Sequence, residues 1–393
     1  MKKFKILVTY VEAGMGHIVS AEAIATSLEK YYPDEVEVIR TNFFREQNDK
    51  DMLEHEKFFI NSVKASSKNN IVLYAADFFT KLFSPGASLN YMYNTMYKKV
   101  KEKGIELIES HNPDMVISTH YTPLHISVCA KERLPNMITA CYDPDPNIHS
   151  WWDHNSDLFV VNSRLIYDQA LKKFKFNKDN LHLGKFISRD EVINCSTDKK
   201  LLREKHHLPL DNFTIIMADG AYANAKLKPY ANKLLKLDKS KKFTLIIIAG
   251  KNEKVYQYFS NKAKELTNID LRVYRYVDNV YELYSASDIF ITKTGPNAIL
   301  DSVQVLTPII GTFYASPIER DTKKLFVDDH KVGLYCKTGI QLVKIISQFI
   351  DDPSLLQPYV ENCKKFKEMH TGGEKIIADK IIEVLRKTIK QVQ

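Results

Sequence analysis

Three short stretches carry residue types that could do chemistry. The first is Gly14-Met15-Gly16-His17, directly after the apolar run Lys5–Tyr10. A strand entering a glycine turn would set the imidazole of His17 at the strand's mouth. There it could take a proton from a hydroxyl, and the small Gly14 and Gly16 leave the approach open to a substrate. The other use of such a histidine is as a capping or solvated group at a helix start. The second stretch, Asp143–Trp152, sets an acid, His149, Trp151 and Trp152 on one loop stiffened by Pro144 and Pro146. Asp143 could orient a histidine or bind an acceptor hydroxyl, and the tryptophans could pack on a sugar or an acyl chain. Trp152 reads better as a buried anchor. The third stretch runs from Asp288 to Arg320. A strand (Asp288–Thr292) turns through Lys293-Thr294-Gly295-Pro296 into a helix (Asn297–Leu306), and Pro308 marks where that helix has stopped. Thr294 or Gly295 can cap the helix, and Pro296 suits its first turn because it has no N–H to leave unpaired. A helix start beside a lysine attracts anions, phosphate above all. Asp301, about two turns further in, could reach a sugar hydroxyl. A strand, Ile309–Phe313, and a charged loop, Pro317–Arg320, complete the stretch. By itself it is equally one more βαβ unit with a capped helix.

Several chemistries are disfavoured. The first glycine turn has two of the three glycines of a dinucleotide fingerprint, with Val19 in place of the third. Arg40, not an acid, ends the next strand, so a Rossmann dehydrogenase is a weak match. No Walker lysine pattern is present. The five cysteines show no close pairing, which argues against a disulfide framework and a structural zinc site, and Asp143 with His149 lacks a third ligand at useful spacing. No metal and no cofactor are expected. The net charge of +8 is spread over scattered lysines, which suits a phosphorylated small molecule, an anionic membrane or nucleic acid equally. No run is apolar enough to span a bilayer, and the N-terminus reads as a strand rather than a signal peptide. The expectation is a cytoplasmic protein, peripheral at most.

The elements that must position these groups alternate strand and helix. In the first half the strands are Lys5–Tyr10, Val36–Thr41, Asp114–Ser118 (ending at His120), Met137–Tyr142 and Leu158–Asn162. In the second half they are Phe213–Ala218 (ending at Asp219-Gly220), Phe243–Ala249 (ending at Gly250-Lys251-Asn252) and Leu271–Tyr276, then the Asp288–Arg320 stretch and Val332–Tyr335. Two such series, joined by a charged link at Thr197–His207, predict two doubly wound α/β domains with ligands outside the carboxyl ends of the strands. The expected domains are residues 1–200 and 201–373, with a basic amphipathic helix over 374–393 packing back toward the first domain. The alternation breaks over residues 43–108, a helical stretch rich in aromatics and lysines that serves as a lid or a membrane contact.

At this point the residues carry a resemblance. Gly14–Ile24 (GMGHIVSAEAI) resembles the GGGH…SAEAI opening of the monogalactosyldiacylglycerol synthase and processive diacylglycerol glucosyltransferase family, relatives of the MurG-type enzymes. Asp114–His120, the Asp143…His149…Trp152…Asp157 spacing, Ile246–Asn252 and Tyr276–Pro296 resemble further segments of that family. The likeness covers nearly the whole chain. It implies a GT-B fold, two facing Rossmann-like domains with a central cleft, and inverting transfer of a sugar from a nucleotide sugar, usually a UDP-sugar, to diacylglycerol without a metal.

The resemblance also implies roles. His17 would be the general base, with Asp143 or His149 in support. Gly14, Gly16, His120 and Trp151 would line the acceptor side. Gly220, Lys251, Asn252, Lys293 and Thr294 would lie on the donor side, with Gly295, Pro296 and Asn297 at the diphosphate, Asp301 at the ribose and Glu319 at the sugar. Partners would be the nucleotide sugar, a lipid or other hydroxyl acceptor and an anionic membrane surface, with no nucleic acid. The chain departs from the pattern at Asp301, where the family has glutamate, at Thr322, where it has asparagine, and at Asp219–Asn224, where a glycine-rich turn is expected. These departures keep other readings open. They are a different acceptor (a polyprenyl-phosphate lipid or a soluble small molecule), a nucleotide-sugar epimerase using Asp143 or Asp219, and a non-catalytic nucleotide-sugar sensor.

Overall fold

A computed structural model describes residues 3–12, 15–66, 87–147, 151–220, 227–237, 241–314 and 316–392. Gly14, His149, Tyr222 and Asn224, and the aromatics Tyr74, Phe78, Phe79 and Phe83, lie outside the described residues. Contacts divide the chain into two compact units, Met1–Arg189 with His370–Gln393, and Asp190–Met369.

The first unit holds β1 (Phe4–Tyr10), β2 (Val36–Asn42), β3 (Met115–Ser118), β4 (Ile138–Tyr142), β5 (Leu158–Val161) and β6 (Leu181–Leu183). All pair in parallel, in the order β2-β1-β3-β4-β5-β6. Strand side chains alternate in direction, and the apolar run of β1 therefore feeds two cores. Ile6 and Val8 pack with Ile24, Leu28 and Ile117 on one face, and Leu7 packs with Phe43, Phe44, Val116 and Ile126 on the other. The helix Glu374–Val392 belongs to this unit. It inserts Ile377, Ile381 and Leu385 into the first of those cores. Tyr32 Oη also donates to Asp379 at 2.7 Å, and Arg386 pairs with Glu35 at 2.6 Å. Within residues 43–108 the described elements are helices, Lys50–Ser66, Ala87–Asn94 and the start of Lys98–His111.

The second unit holds β7 (Phe213–Ala218), β8 (Phe243–Ile248), β9 (Ile269–Tyr274), β10 (Ile289–Thr292), β11 (Ile309–Gly311) and β12 (Gly333–Tyr335), again all parallel, in the order β12-β11-β10-β7-β8-β9.

Two segments expected to be irregular are helical. The charged link contains the helix Lys199–Lys205, because Asp198 Oδ1 accepts from the N–H groups of Lys200 (3.0 Å) and Leu201 (3.1 Å). Its Arg203 is anchored by Asp288 at 2.7 Å, which makes this segment part of the second unit. Pro317–Arg320 opens a helix, Pro317–Thr322, capped by Ser316 Oγ accepting from Glu319 N at 3.2 Å.

In each sheet the strand order reverses once, between β1 and β3 in the first unit and between β7 and β10 in the second. Ligands of open α/β sheets bind outside the carboxyl ends of the strands at such reversals. His17 follows β1, Thr119-His120 follows β3, Asp219-Gly220 follows β7, and Lys293 follows β10.

Candidate functional site

In the first unit, His17 lies on the opening turn of the helix Met15–Tyr31. Its Nδ1 is 2.5 Å from the Thr119 carbonyl oxygen, and Thr119 Oγ1 donates back to the His17 carbonyl at 2.8 Å. A carbonyl only accepts, so Nδ1 carries the hydrogen and Nε2 keeps the lone pair. Burial pushes the His17 pKa below the usual histidine value, against a smaller opposing effect of the Thr119 carbonyl. The ring is neutral at neutral pH, with its basic nitrogen defined.

His120 stands against it, ring centroids 4.8 Å apart and edge to face. Its Nδ1 accepts from Thr122 N at 3.2 Å and caps the helix Tyr121–Ala130. Burial first, then the charge of a protonated His17, hold His120 well below the histidine range. Tyr121 stacks on His120 at 4.1 Å, and Trp151, partly exposed, lies 5.9 Å from Tyr121. Trp152 is fully buried beside Phe159.

Asp143 follows β4 and is fully buried. Its Oδ1 accepts from Asp145 N at 2.9 Å, whereas Oδ2 has no partner among the described residues. Burial, then the neighbouring Asp145 charge, raise its pKa well above the carboxylate range. That environment disfavours a charged carboxylate at this position.

In the second unit the loop after β10 is held from three directions. Lys293 N donates to Asp219 Oδ1 at 2.9 Å. Thr294, fully buried, donates from Oγ1 to the Glu319 carbonyl at 2.8 Å, and its N–H to the Phe313 carbonyl at 3.0 Å. Lys293 Nζ forms an ion pair with Glu319 Oε1. The lysine stem crosses two glycines. A Cβ on Gly220 would stand 3.5 Å from Lys293 Cε, and one on Gly295 would stand 3.6 Å from it. Gly220 has φ +71°, the left-handed region glycine suits.

Gly295 is the N-cap of the helix Pro296–Gln304, with no side chain capping it, and Pro296 opens the first turn beside Asn297. The helix start thus keeps its positive end close to an ammonium group. Lys293, Thr294, Gly295, Gly220 and Glu319 are brought together, and Asp301 is buried on the same helix. Lys251 and Asn252 follow β8, with β7 between them and β10 in the sheet. Asn252 caps the helix Glu253–Ala263 by accepting from Val255 N at 3.2 Å.

Sequence reasoning missed Thr119, whose role is carried by a backbone carbonyl, and Tyr121. Their only signal was adjacency to His120. Among the described residues no cluster of three or more His, Cys, Asp or Glu is placed to hold a metal ion, and no helix is long and apolar enough to cross a membrane.

Two parallel six-stranded sheets of this order define a GT-B fold. The chain superposes on MurG of Acinetobacter baumannii over 97% of its length and 100% of that chain, with TM-score 0.61 and 11% identity. For Anabaena HepE solved with UDP the coverage is 98% and 100%, with TM-score 0.57 and 13% identity. Residues 17–180 match the family model of monogalactosyldiacylglycerol (MGDG) synthase, and residues 220–324 match the glycosyltransferase family 28 C-terminal domain. The protein is a GT-B glycosyltransferase that joins these two domains in one chain. Its relatives include the processive diacylglycerol beta-glucosyltransferases of Staphylococcus carnosus (23% identical, covering 92% of this chain and 89% of that one) and Bacillus subtilis (22%, 80% and 81%). Monogalactosyldiacylglycerol synthase 3 of Arabidopsis thaliana is 21% identical, covering 92% of this chain and 78% of that one.

Proposed function

We propose that this glycosyltransferase moves a hexose from a UDP-sugar to diacylglycerol or a closely related lipid hydroxyl, with inversion at the sugar carbon and without a metal ion. The observation that carries the reading is the bond from His17 Nδ1 to the Thr119 carbonyl. It leaves Nε2 as a neutral, oriented acceptor for the proton of an attacking hydroxyl. Direct attack by that hydroxyl displaces the nucleotide from the opposite face, which inverts the centre. The leaving diphosphate gathers negative charge, and the second unit meets it with the start of the helix Pro296–Gln304 and the Lys293 ammonium. These supply the positive charge a divalent cation would otherwise bring. Lys293 is paired with Glu319. On donor binding the ammonium turns to the diphosphate, and Glu319 is released to accept from a sugar hydroxyl.

The lipid acceptor is supported by the activities of the relatives and by one surface. Phe58, Tyr91 and Met96 are 55%, 69% and 71% exposed, and Lys98, Lys99 and Lys101 follow Met96 closely in the chain. Apolar rings enter a headgroup layer while lysines meet anionic lipid, so the protein acts as a peripheral enzyme at the cytoplasmic membrane face.

The test replaces His17 by Gln. Turnover with UDP-hexose and diacylglycerol vesicles falls by about 10²–10⁴-fold, the range of a positioned general base, while UDP affinity stays unchanged. Unchanged turnover would remove His17 from the mechanism.

A further inference from the structure

A third group of side chains stands apart from both constellations. His125 and Cys129 lie one turn apart on the helix Tyr121–Ala130, with Cys129 Sγ 3.8 Å from His125 Nε2. His125 Nδ1 donates to Asp153 Oδ2 at 2.7 Å. The other oxygen of Asp153 accepts from Asn155 N (3.0 Å) and Asn155 Nδ2 (2.9 Å), which fixes the carboxylate. His125 and Asp153 are buried, whereas Cys129 is half-buried and within reach of a small reagent. With Nδ1–H committed to Asp153, the ring nitrogen directed at sulfur is Nε2. Nucleophile, imidazole and orienting carboxylate stand in the sequence that activated nucleophiles use.

We propose that Cys129, His125 and Asp153 form a reactive-thiol site at which small disulfides modify the protein. The Cys129 sulfur, its proton lost to solvent, attacks one sulfur of R–S–S–R. A Cys129–S–S–R bond forms as the R–S–S–R bond breaks, and the departing thiolate takes a proton from solvent. One disulfide replaces another, so no further oxidant is needed. His125 assists because its ring, oriented by Asp153, keeps Nε2 directed at the Cys129 sulfur. Burial opposes charge on His125, but Asp153 and Cys129 together outweigh it and raise the pKa to about 9. The other ring packed on His125 is Tyr93, 5.8 Å away, which burial keeps neutral.

A purely structural ion pair would leave the sulfur no more reactive than any other half-buried cysteine. Cys195 is the internal standard. It is also half-buried, but its sulfur donates to the Ser196 carbonyl at 3.4 Å, and burial with Glu282 raises its pKa. The full chain is treated with dithiobis-nitrobenzoate at neutral pH, and modified peptides are timed by mass spectrometry. Cys129 is expected to react about tenfold or more faster than Cys195, and His125→Gln is expected to erase that advantage without changing Cys195. Asp153→Asn is expected to lower it as well, by freeing the ring. Equal rates at Cys129 and Cys195 in the unaltered protein would overturn the proposal whether or not the variants fold, as would an unchanged Cys129 rate in folded His125→Gln.

Discussion

Replacing Glu319 by Gln should make the protein bind UDP more tightly while making it a poorer transferase. Glu319 holds the Lys293 ammonium, and the two side chains are 9% and 27% exposed. That places the pair between exposed ion pairs, worth about 0.2–1 kcal/mol, and buried ones, where removing one partner costs about 3–5 kcal/mol. On the proposed mechanism donor binding breaks the pair, so an intermediate net value of about 1–2 kcal/mol is spent against affinity in the unaltered protein. Without that carboxylate, UDP affinity should rise about 5- to 30-fold. The intact UDP-sugar gains less, because it loses a charge-assisted hydrogen bond worth about 1.5–3 kcal/mol, and kcat/KM should fall by about 10- to 100-fold. Calorimetric titration with UDP and steady-state kinetics with the UDP-sugar read the two effects separately. UDP affinity that is unchanged or weaker in Glu319→Gln would refute the reasoning, since Lys293 would then not serve the diphosphate.

Other outcomes follow from the same geometry. Activity should rise with pH through a value below the ordinary histidine range and be flat at neutrality, because burial lowers the His17 pKa and only the neutral ring accepts a proton; a profile still rising above pH 7 would point to another base. His125 is the opposite case. Its folded pKa of about 9 lies above the unfolded value of about 6.5, so its stabilisation is complete below the unfolded value and is lost as pH rises toward 9. Up to roughly 3 kcal/mol is at stake, and Asp153→Asn should flatten the fall in melting temperature across that window. Gly220→Ala places a side chain at φ +71°, costs about 1–2 kcal/mol in backbone strain and should weaken UDP binding by shifting the turn beside Lys293.

Most of the fold was legible because a parallel strand covered on both faces reads as an unbroken apolar run, as Phe213–Ala218 and Phe243–Ile248 do. Leu181–Leu183 was missed because it is a three-residue strand at the sheet edge, with His182 at its centre. The Lys199–Lys205 helix read as a charged link because its cap, Asp198, stands inside a run of charges, and the contact that anchors it, Arg203 on Asp288, is distant in sequence. At the sites, residue types pointed to His17 and Lys293 and the family resemblance to Glu319, and the fold supplies the partners each of them has. The Thr119 carbonyl that sets the His17 tautomer has no side-chain signature. The upward shift of the Asp143 pKa comes from burial and then from Asp145, both products of packing. The bond from Thr294 Oγ1 to the Glu319 carbonyl, which ties down the Lys293 loop, is likewise a product of the fold that the residue type alone does not announce.

The most direct measurement is nucleotide release from UDP-, GDP-, CDP- and dTDP-sugars by the full chain, with and without diacylglycerol vesicles, and with the lipid fraction read by mass spectrometry. The account predicts UDP release that requires the vesicles, proceeds in the presence of a metal chelator and adds a hexose mass to the lipid. Folded protein that releases UDP equally without lipid, or releases no nucleotide from any donor, would contradict it.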